Sequence, residues 1–183
     1  KTEAIRTKVG SAFSDNMVLQ RNTTVKICGE EKPNSEVKIT TGWDNKIYTT
    51  IANSDGKWFA FLNTPDASEN AYTLKVEGEA TINFSNILIG EVWLASGQSN
   101  MNMPLDGWTS QPVEGSDLAK QNATDSKIRL LKIAENYSLT PNDYVSGVWK
   151  EASPTTVGSF SAAAYFYAKM LRDSLKIPIG IIN

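Results

Sequence analysis

Ser99 stands in the string Gly97-Gln98-Ser99-Asn100-Met101, directly after the short apolar run Glu91-Val92-Trp93-Leu94-Ala95-Ser96. A serine just past the carboxyl end of a buried parallel strand stands where ligands bind in open α/β sheets. If a helical turn starts there, free backbone N–H groups point toward its hydroxyl and can hold an oxyanion. Gly97 permits the sharp turn that such a site needs. Met101 occupies the position of the second glycine of a Gly-x-Ser-x-Gly elbow, so that elbow is excluded. On these five residues alone, a polar turn with Ser99 as an ordinary cap remains the alternative, because a hydroxyl without a base is a weak nucleophile. The 183 residues contain no histidine. A Ser–His–Asp relay and a histidine metal site are therefore impossible within them. Lys120 and Asp106 are the internal candidates for a substitute base. Ordinary pKa values of about 10.4 and about 3.9 suit neither to base work at neutral pH. The one cysteine, Cys28, excludes an internal disulfide and a cysteine zinc site, and its expected role is a small buried hydrophobe in a strand. No metal and no organic cofactor is implied.

The elements that must carry Ser99 divide in two. Short β-rich segments fill the first half: Val25–Cys28, Val37–Thr41, Ile47–Ile51, Trp58–Leu62 and Tyr72–Val76. Turn chemistry at Pro33-Asn34, Asp44-Asn45, Asp55-Gly56 and Pro65-Asp66 separates them. Trp58, Ala60 and Leu62 share one face and Phe59 and Phe61 the other, which suits a two-layer sandwich. After residue 86 the period changes. Glu91–Ser96, Ile128–Ile133 and Ile179–Ile182 read as strands of a parallel α/β layer. Ser161–Leu175 is the one long helix, with Ser159 or Ser161 as N-cap and an apolar stripe of Ala164, Phe166, Tyr167, Met170, Leu171 and Leu175. Residues 116–122 read as a short helix capped by Ser116 or Asp117. The expected architecture is a β-sandwich over residues 1–86, followed by the first three strands of a parallel layer over residues 87–183. The third strand is expected beside the first, with its far side open to association. Of the tryptophans, Trp58 and Trp93 read as core, Trp149 as packing near the helix, and Trp108 as a pocket aromatic after Ser99.

Three blocks carry a resemblance over nearly the whole chain. They are Phe13-Ser14-Asp15-Asn16-Met17-Val18-Leu19-Gln20, then Gly90-Glu91-Val92-Trp93-Leu94-Ala95-Ser96-Gly97-Gln98-Ser99-Asn100-Met101, and Phe160-Ser161-Ala162 with Pro178-Ile179-Gly180-Ile181-Ile182-Asn183. Together they resemble the N-terminal portion of the sialate O-acetylesterases, within the SGNH (GDSL-like) hydrolases. The resemblance implies a flavodoxin-like α/β/α esterase layer after the sandwich. It also implies a carbohydrate O-acetylesterase with Ser99 as nucleophile. Ser99 and Asn100 would form the oxyanion turn, and Gln98, Met101 and Trp108 are pocket candidates. The family's remaining oxyanion donors and its Asp-x-x-His block have no counterpart in these residues. The base is therefore expected from a missing C-terminal segment or a second chain, and these residues alone are expected to be inactive. The competing expectation is a non-catalytic carbohydrate-binding or structural module, and an acetylxylan-type esterase is an alternative within the first class.

Composition narrows the partners. Eighteen Lys+Arg against 20 Asp+Glu give a net charge of −2, too little positive charge to hold a phosphate backbone, so nucleic acid is not expected. No apolar run approaches the roughly 20 residues that span a bilayer, so no membrane partner is expected. An O-acetylated sugar or glycan is the expected partner. The family resemblance points to a secreted or periplasmic location, although no signal peptide is visible.

Overall fold

The computed structural model describes residues 6–140, 142 and 144–183. Eleven strands and three helices are formed among them. Strands β1 (Lys8–Val9), β3 (Thr24–Glu30) and β6 (Lys57–Asn63) form one antiparallel sheet. The second sheet runs β10 (Trp149–Ala152), β9 (Asp125–Leu131), β11 (Ile179–Ile182), β8 (Thr81–Leu94), β7 (Ser68–Glu77), β4 (Glu36–Thr41) and β5 (Ile47–Ile51), with β2 (Val18–Gln20) added parallel to β8. The five strands read from the sequence in the first half all form. The mixed architecture, a β-rich part followed by a partial α/β layer, is as expected.

Alternation explains the sandwich. In β6, Trp58, Ala60 and Leu62 are buried and face Ile27, Val37, Ile39, Leu74 and Val76 in one core. Phe59 and Phe61 occupy the opposite face of β6 and are about half exposed, so that strand is covered on one side only. Cys28 lies on this outer face and is half-buried, not buried, because in β3 the inward positions are Ile27 and Gly29.

Strand β8 joins the two parts without a linker. It runs unbroken from Thr81 to Leu94 through Asn86, where positive φ and a register shift against β7 mark an irregularity. It pairs with β7 as far as Ile89 and with β11 from Glu91 onward. Gly90 marks the handover. A Cβ there would lie 2.0 Å from the Pro178 carbonyl oxygen, so only glycine lets β11 begin so close.

The parallel layer is β8, β11 and β9, with β10 antiparallel on the outside. Helices α1 (Ser99–Asn102), α2 (Ser116–Gln121) and α3 (Ala162–Leu175) belong to this half. Ile128, Leu130, Ile179 and Ile181 pack with α3, while Leu131 and Trp149 join the sandwich core on the other face. Burial on both faces accounts for the apolar runs in β9 and β11.

Several expectations are corrected here. Strand β11 does lie beside β8, but its far side pairs with β9, so it is no edge and no open association surface. Among the described residues, Glu91–Leu94 of β8 is left without a strand on the side where β2 stops at Gln20. There the Gln20 Oε1 caps the Val92 N–H at 2.8 Å. Because of that open side, Trp93 and Leu94 are 43% and 72% exposed, and Trp93 packs edgewise on Tyr167 and is not core. Ser161 caps α3 as expected, accepting from the Ala164 N–H at 3.2 Å. Of the expected α3 stripe, Ala164 is buried and Tyr167 and Leu171 pack against the core, whereas Phe166, Met170 and Leu175 are exposed and Ala162, Tyr165 and Ala168 complete the buried face. Small side chains let the helix approach the sheet closely, so the bulky ones turn outward. Gly115, in the left-handed region, caps α2 instead of Ser116 or Asp117.

Candidate functional site

Strand β8 delivers the chain to Ser99. Ala95 extends the ladder, its N–H donating to the Ile182 carbonyl oxygen at 2.7 Å, and its own carbonyl accepts from Asn183 Nδ2 at 3.2 Å. The backbone then turns through Ser96 and Gly97 into α1. Gln98 is the N-cap residue, and its carbonyl accepts from the Met101 and Asn102 N–H groups, both at 2.9 Å. Ser99 and Asn100 are the first two residues of that turn. Their N–H groups have no intrahelical acceptor by construction, as the first residues of a helix. The Ser99 side chain is exposed, and no side-chain hydrogen bond holds its hydroxyl among the described residues.

Ser99 opens into a hollow of about 760 Å³, a volume suited to a sugar-sized ligand. Gln98, Met101 and Trp108 line it too, so four of the five residues read from the sequence come together. Asn100 does not line it; its side chain is exposed outside the hollow. The sequence reading missed Asn102, Lys132, Glu135, Tyr137 and Asn183, all of which line the hollow. Asn102 Nδ2 donates to Glu135 Oε1 at 3.2 Å, and Lys132 Nζ donates to the Ser159 carbonyl oxygen at 2.8 Å. Asn102 lay one residue past the motif. Lys132 and Glu135 follow β9, and their relation to Ser99 depends on strand order, which no local pattern reports.

Neither internal candidate for a base belongs here. Lys120 Nζ is paired with Asp106 at 2.8 Å and Asp117 at 3.3 Å, and all three line a separate hollow. Hydrogen bonds from Lys120 to Asp106 and then to Asp117 push its pKa up, away from the range of a base. Among the described residues no group of three or more His, Cys, Asp or Glu side chains is placed to hold a metal ion.

A second polar cluster joins β9 to β8 and shares no residue with the Ser99 hollow. The Arg129 side chain, 2% exposed, donates from Nε to the Ser126 carbonyl at 2.6 Å and from Nη1 to the Asn16 carbonyl at 3.1 Å. Its Nη2 reaches Asn86 Oδ1 at 3.2 Å and Glu151 Oε1 at 3.2 Å. Asn16 and Asn86 both adopt positive φ, and Asn86 Nδ2 bridges to Asn16 Oδ1 at 2.8 Å. Burial pulls the Arg129 pKa down and the Glu151 charge opposes that shift. This knot ties β9 to the irregularity in β8.

No family model matches the chain. It is 26% identical over 94% of its length to the sialate O-acetylesterase of Mus musculus, 30% over 94% to that of Rattus norvegicus, and 24% over its whole length to that of Homo sapiens. It spans 34–37% of these relatives, about a third of their length. A solved carbohydrate acetylesterase from Xanthomonas citri superposes with a TM-score of 0.89 at 33% identity, covering 97% of this chain and 40% of that one. The strand-to-turn placement of Ser99, the sandwich before it and these likenesses agree. Over nearly its whole length the chain is similar to the N-terminal portion of the sialate O-acetylesterases.

Proposed function

We propose that these residues supply the nucleophile and part of the pocket of a carbohydrate O-acetylesterase. The observation that carries this reading is the position of Ser99, on a helical turn at the carboxyl end of a parallel strand, open to a sugar-sized hollow. The Ser99 Oγ would attack the acetyl carbonyl carbon while a base takes its proton. The tetrahedral oxyanion would be held by the Ser99 and Asn100 N–H groups. Its collapse would expel the sugar hydroxyl, reprotonated by the same base, and water would then release acetate from Ser99. With no histidine in the sequence, the base comes from polypeptide outside these 183 residues, and the residues alone turn over little. The substrate class is an acetylated glycan, a sialoside or an acetylxylan-type polymer, encountered outside the cytoplasm. No helix of the described residues is long and apolar enough to cross a membrane. Residues 1–86 serve as the sandwich and residues 87–183 as the esterase layer.

The test is hydrolysis of p-nitrophenyl acetate and of O-acetylated glycans by these residues joined to the polypeptide that supplies the base, with Ser99→Ala beside it. The reading requires turnover that the substitution abolishes. Full activity in Ser99→Ala ends it.

A second reading is a carbohydrate-binding module without chemistry, favoured by the missing histidine and by the place of Lys120 and Asp106 in a hollow other than that of Ser99. It predicts glycan binding with no ester hydrolysis under any supplementation by the rest of the polypeptide.

A further inference from the structure

The five tryptophans have different surroundings. Trp58 and Trp149 are buried in the sandwich core, Trp43 packs edgewise on Tyr72, and Trp93 packs edgewise on Tyr167. Trp108 belongs to neither core and stacks on no other ring among the described residues, yet 42% of its surface is exposed on the wall of the Ser99 hollow.

The backbone that carries this half-exposed indole is held. Trp108 N–H donates to the Gln111 carbonyl at 3.0 Å and its carbonyl accepts from Gln111 N–H at 2.9 Å. Gly107 (φ +74) and Ser110 (φ 62) fix the two ends of that tight turn. A Cβ at Gly107 would lie 2.5 Å from the Gln111 carbonyl oxygen. The residues before it are stapled to the approach of α3. Asp106 N–H donates to the Gly158 carbonyl at 2.8 Å, Leu105 N–H to the Phe160 carbonyl at 2.9 Å, and Ala162 N–H to the Met103 carbonyl at 2.9 Å. Leu105, fully buried in the core under α3, anchors the segment. A rigid aromatic loses little entropy when a ligand ring settles on it.

Polar partners share the same hollow. Asn102 and Glu135, already paired at 3.2 Å, leave the Asn102 Oδ1 and the second Glu135 oxygen open to hydroxyl donors. An apolar flat face beside an amide and a carboxylate matches a pyranose, which has one face of C–H bonds and a rim of hydroxyls.

We propose that Trp108 is the platform for the pyranose ring of the ligand, with Asn102 and Glu135 reading its hydroxyls, so that the ring's acetyl group is presented to Ser99. This rests on the esterase reading of Ser99, but its readout is binding, not turnover.

The test is calorimetry of the 183-residue chain with an acetylated xylo-oligosaccharide and, in a second arm, an O-acetylated sialoside. Binding in the first arm only assigns neutral glycans, in the second only sialosides, and in both the ring itself; each supports the platform if Trp108→Ala weakens it about tenfold or more. Trp108→Phe, which keeps a flat ring, is expected to retain most of the affinity. Phe59→Ala, an exposed aromatic on the sandwich, is expected to change it less than twofold. No binding of either ligand by the native chain, or equal binding by native and Trp108→Ala, overturns the proposal. Ester hydrolysis by the protein then still stands or falls by its own measurement.

Discussion

The Arg129 knot and the Ser99 hollow are both clusters of polar side chains on the same sheet, and they use their polar atoms in opposite ways. Arg129 is buried, and each nitrogen of its guanidinium has a carbonyl, amide or carboxylate partner. Ser99 is exposed, and nothing fixes its hydroxyl among the described residues. A buried donor must be satisfied by the fold itself, because leaving it unpaired costs about 1–3 kcal/mol. An exposed hydroxyl beside a hollow keeps its bonding capacity for a ligand. The first cluster is therefore architecture and the second is available for chemistry.

Mutations can break that contrast, and the largest effect belongs to the knot. Arg129→Met should lower the unfolding free energy by about 3 kcal/mol, since it strands the Asn16, Asn86 and Ser126 acceptors; chemical denaturation measures it. A loss below about 1 kcal/mol would mean the knot is dispensable. Glu31 is the companion case in the sandwich. Its carboxylate is fully buried and accepts from Thr7 Oγ1 at 2.5 Å and from the Lys32 and Glu79 N–H groups at 2.8 and 3.1 Å. Burial pushes its pKa up, but the three hydrogen bonds outweigh that and hold it below the ordinary 4.5. A depressed carboxylate pKa stabilises the fold above the unfolded value and loses that contribution as pH falls through the folded one. Glu31→Gln should therefore cost about 1–3 kcal/mol at neutral pH, with the gap to the native protein closing below pH 4.5. A gap that is constant from pH 7 to pH 3 would contradict this.

Smaller effects sharpen the comparison. Ser161→Ala removes the α3 cap and should cost about 1 kcal/mol by thermal unfolding. Lys120→Ala breaks an exposed ion pair in the separate hollow and should leave the midpoint of thermal unfolding nearly unchanged. It should also leave ester hydrolysis intact; a collapse of activity would restore Lys120 as a base. Ser99→Ala should be the quietest for stability, within about 0.5 kcal/mol, because its hydroxyl supports nothing structural. A large destabilisation there would make Ser99 a structural cap after all.

The sandwich was legible because its signals are local. Alternation in β6 and turn residues such as Asp55-Gly56 act within a few positions. Ser161 as N-cap and the strand ending before Ser99 were local as well. What depends on distant partners was not legible. Insertion of β11 between β8 and β9 follows from the crossover through α3, and no residue in Ile179–Ile182 encodes which neighbours it has. The α3 stripe is half legible: Ala164, Tyr167 and Leu171 do pack against the core, but Phe166, Met170 and Leu175 face out, and the buried Ala162, Tyr165 and Ala168 lie on the adjoining face. Trp93 looked like core from its strand, and only the end of β2 at Gln20 leaves it on an open edge. Arg129 gave a faint signal, a cation inside the apolar run Ile128–Ile133, but its partners Asn16 and Asn86 lie far away in sequence. Asn102 and Glu135 likewise meet only once β9 is placed.

The most direct test of the central claim is to stop the protein chemically during turnover of an acetylated glycan and locate acetyl groups by tandem mass spectrometry. The account predicts an acetyl ester on Ser99 that disappears with Ser99→Ala. Turnover with the acetyl group on another residue, or with no acetylated intermediate at all, would contradict it.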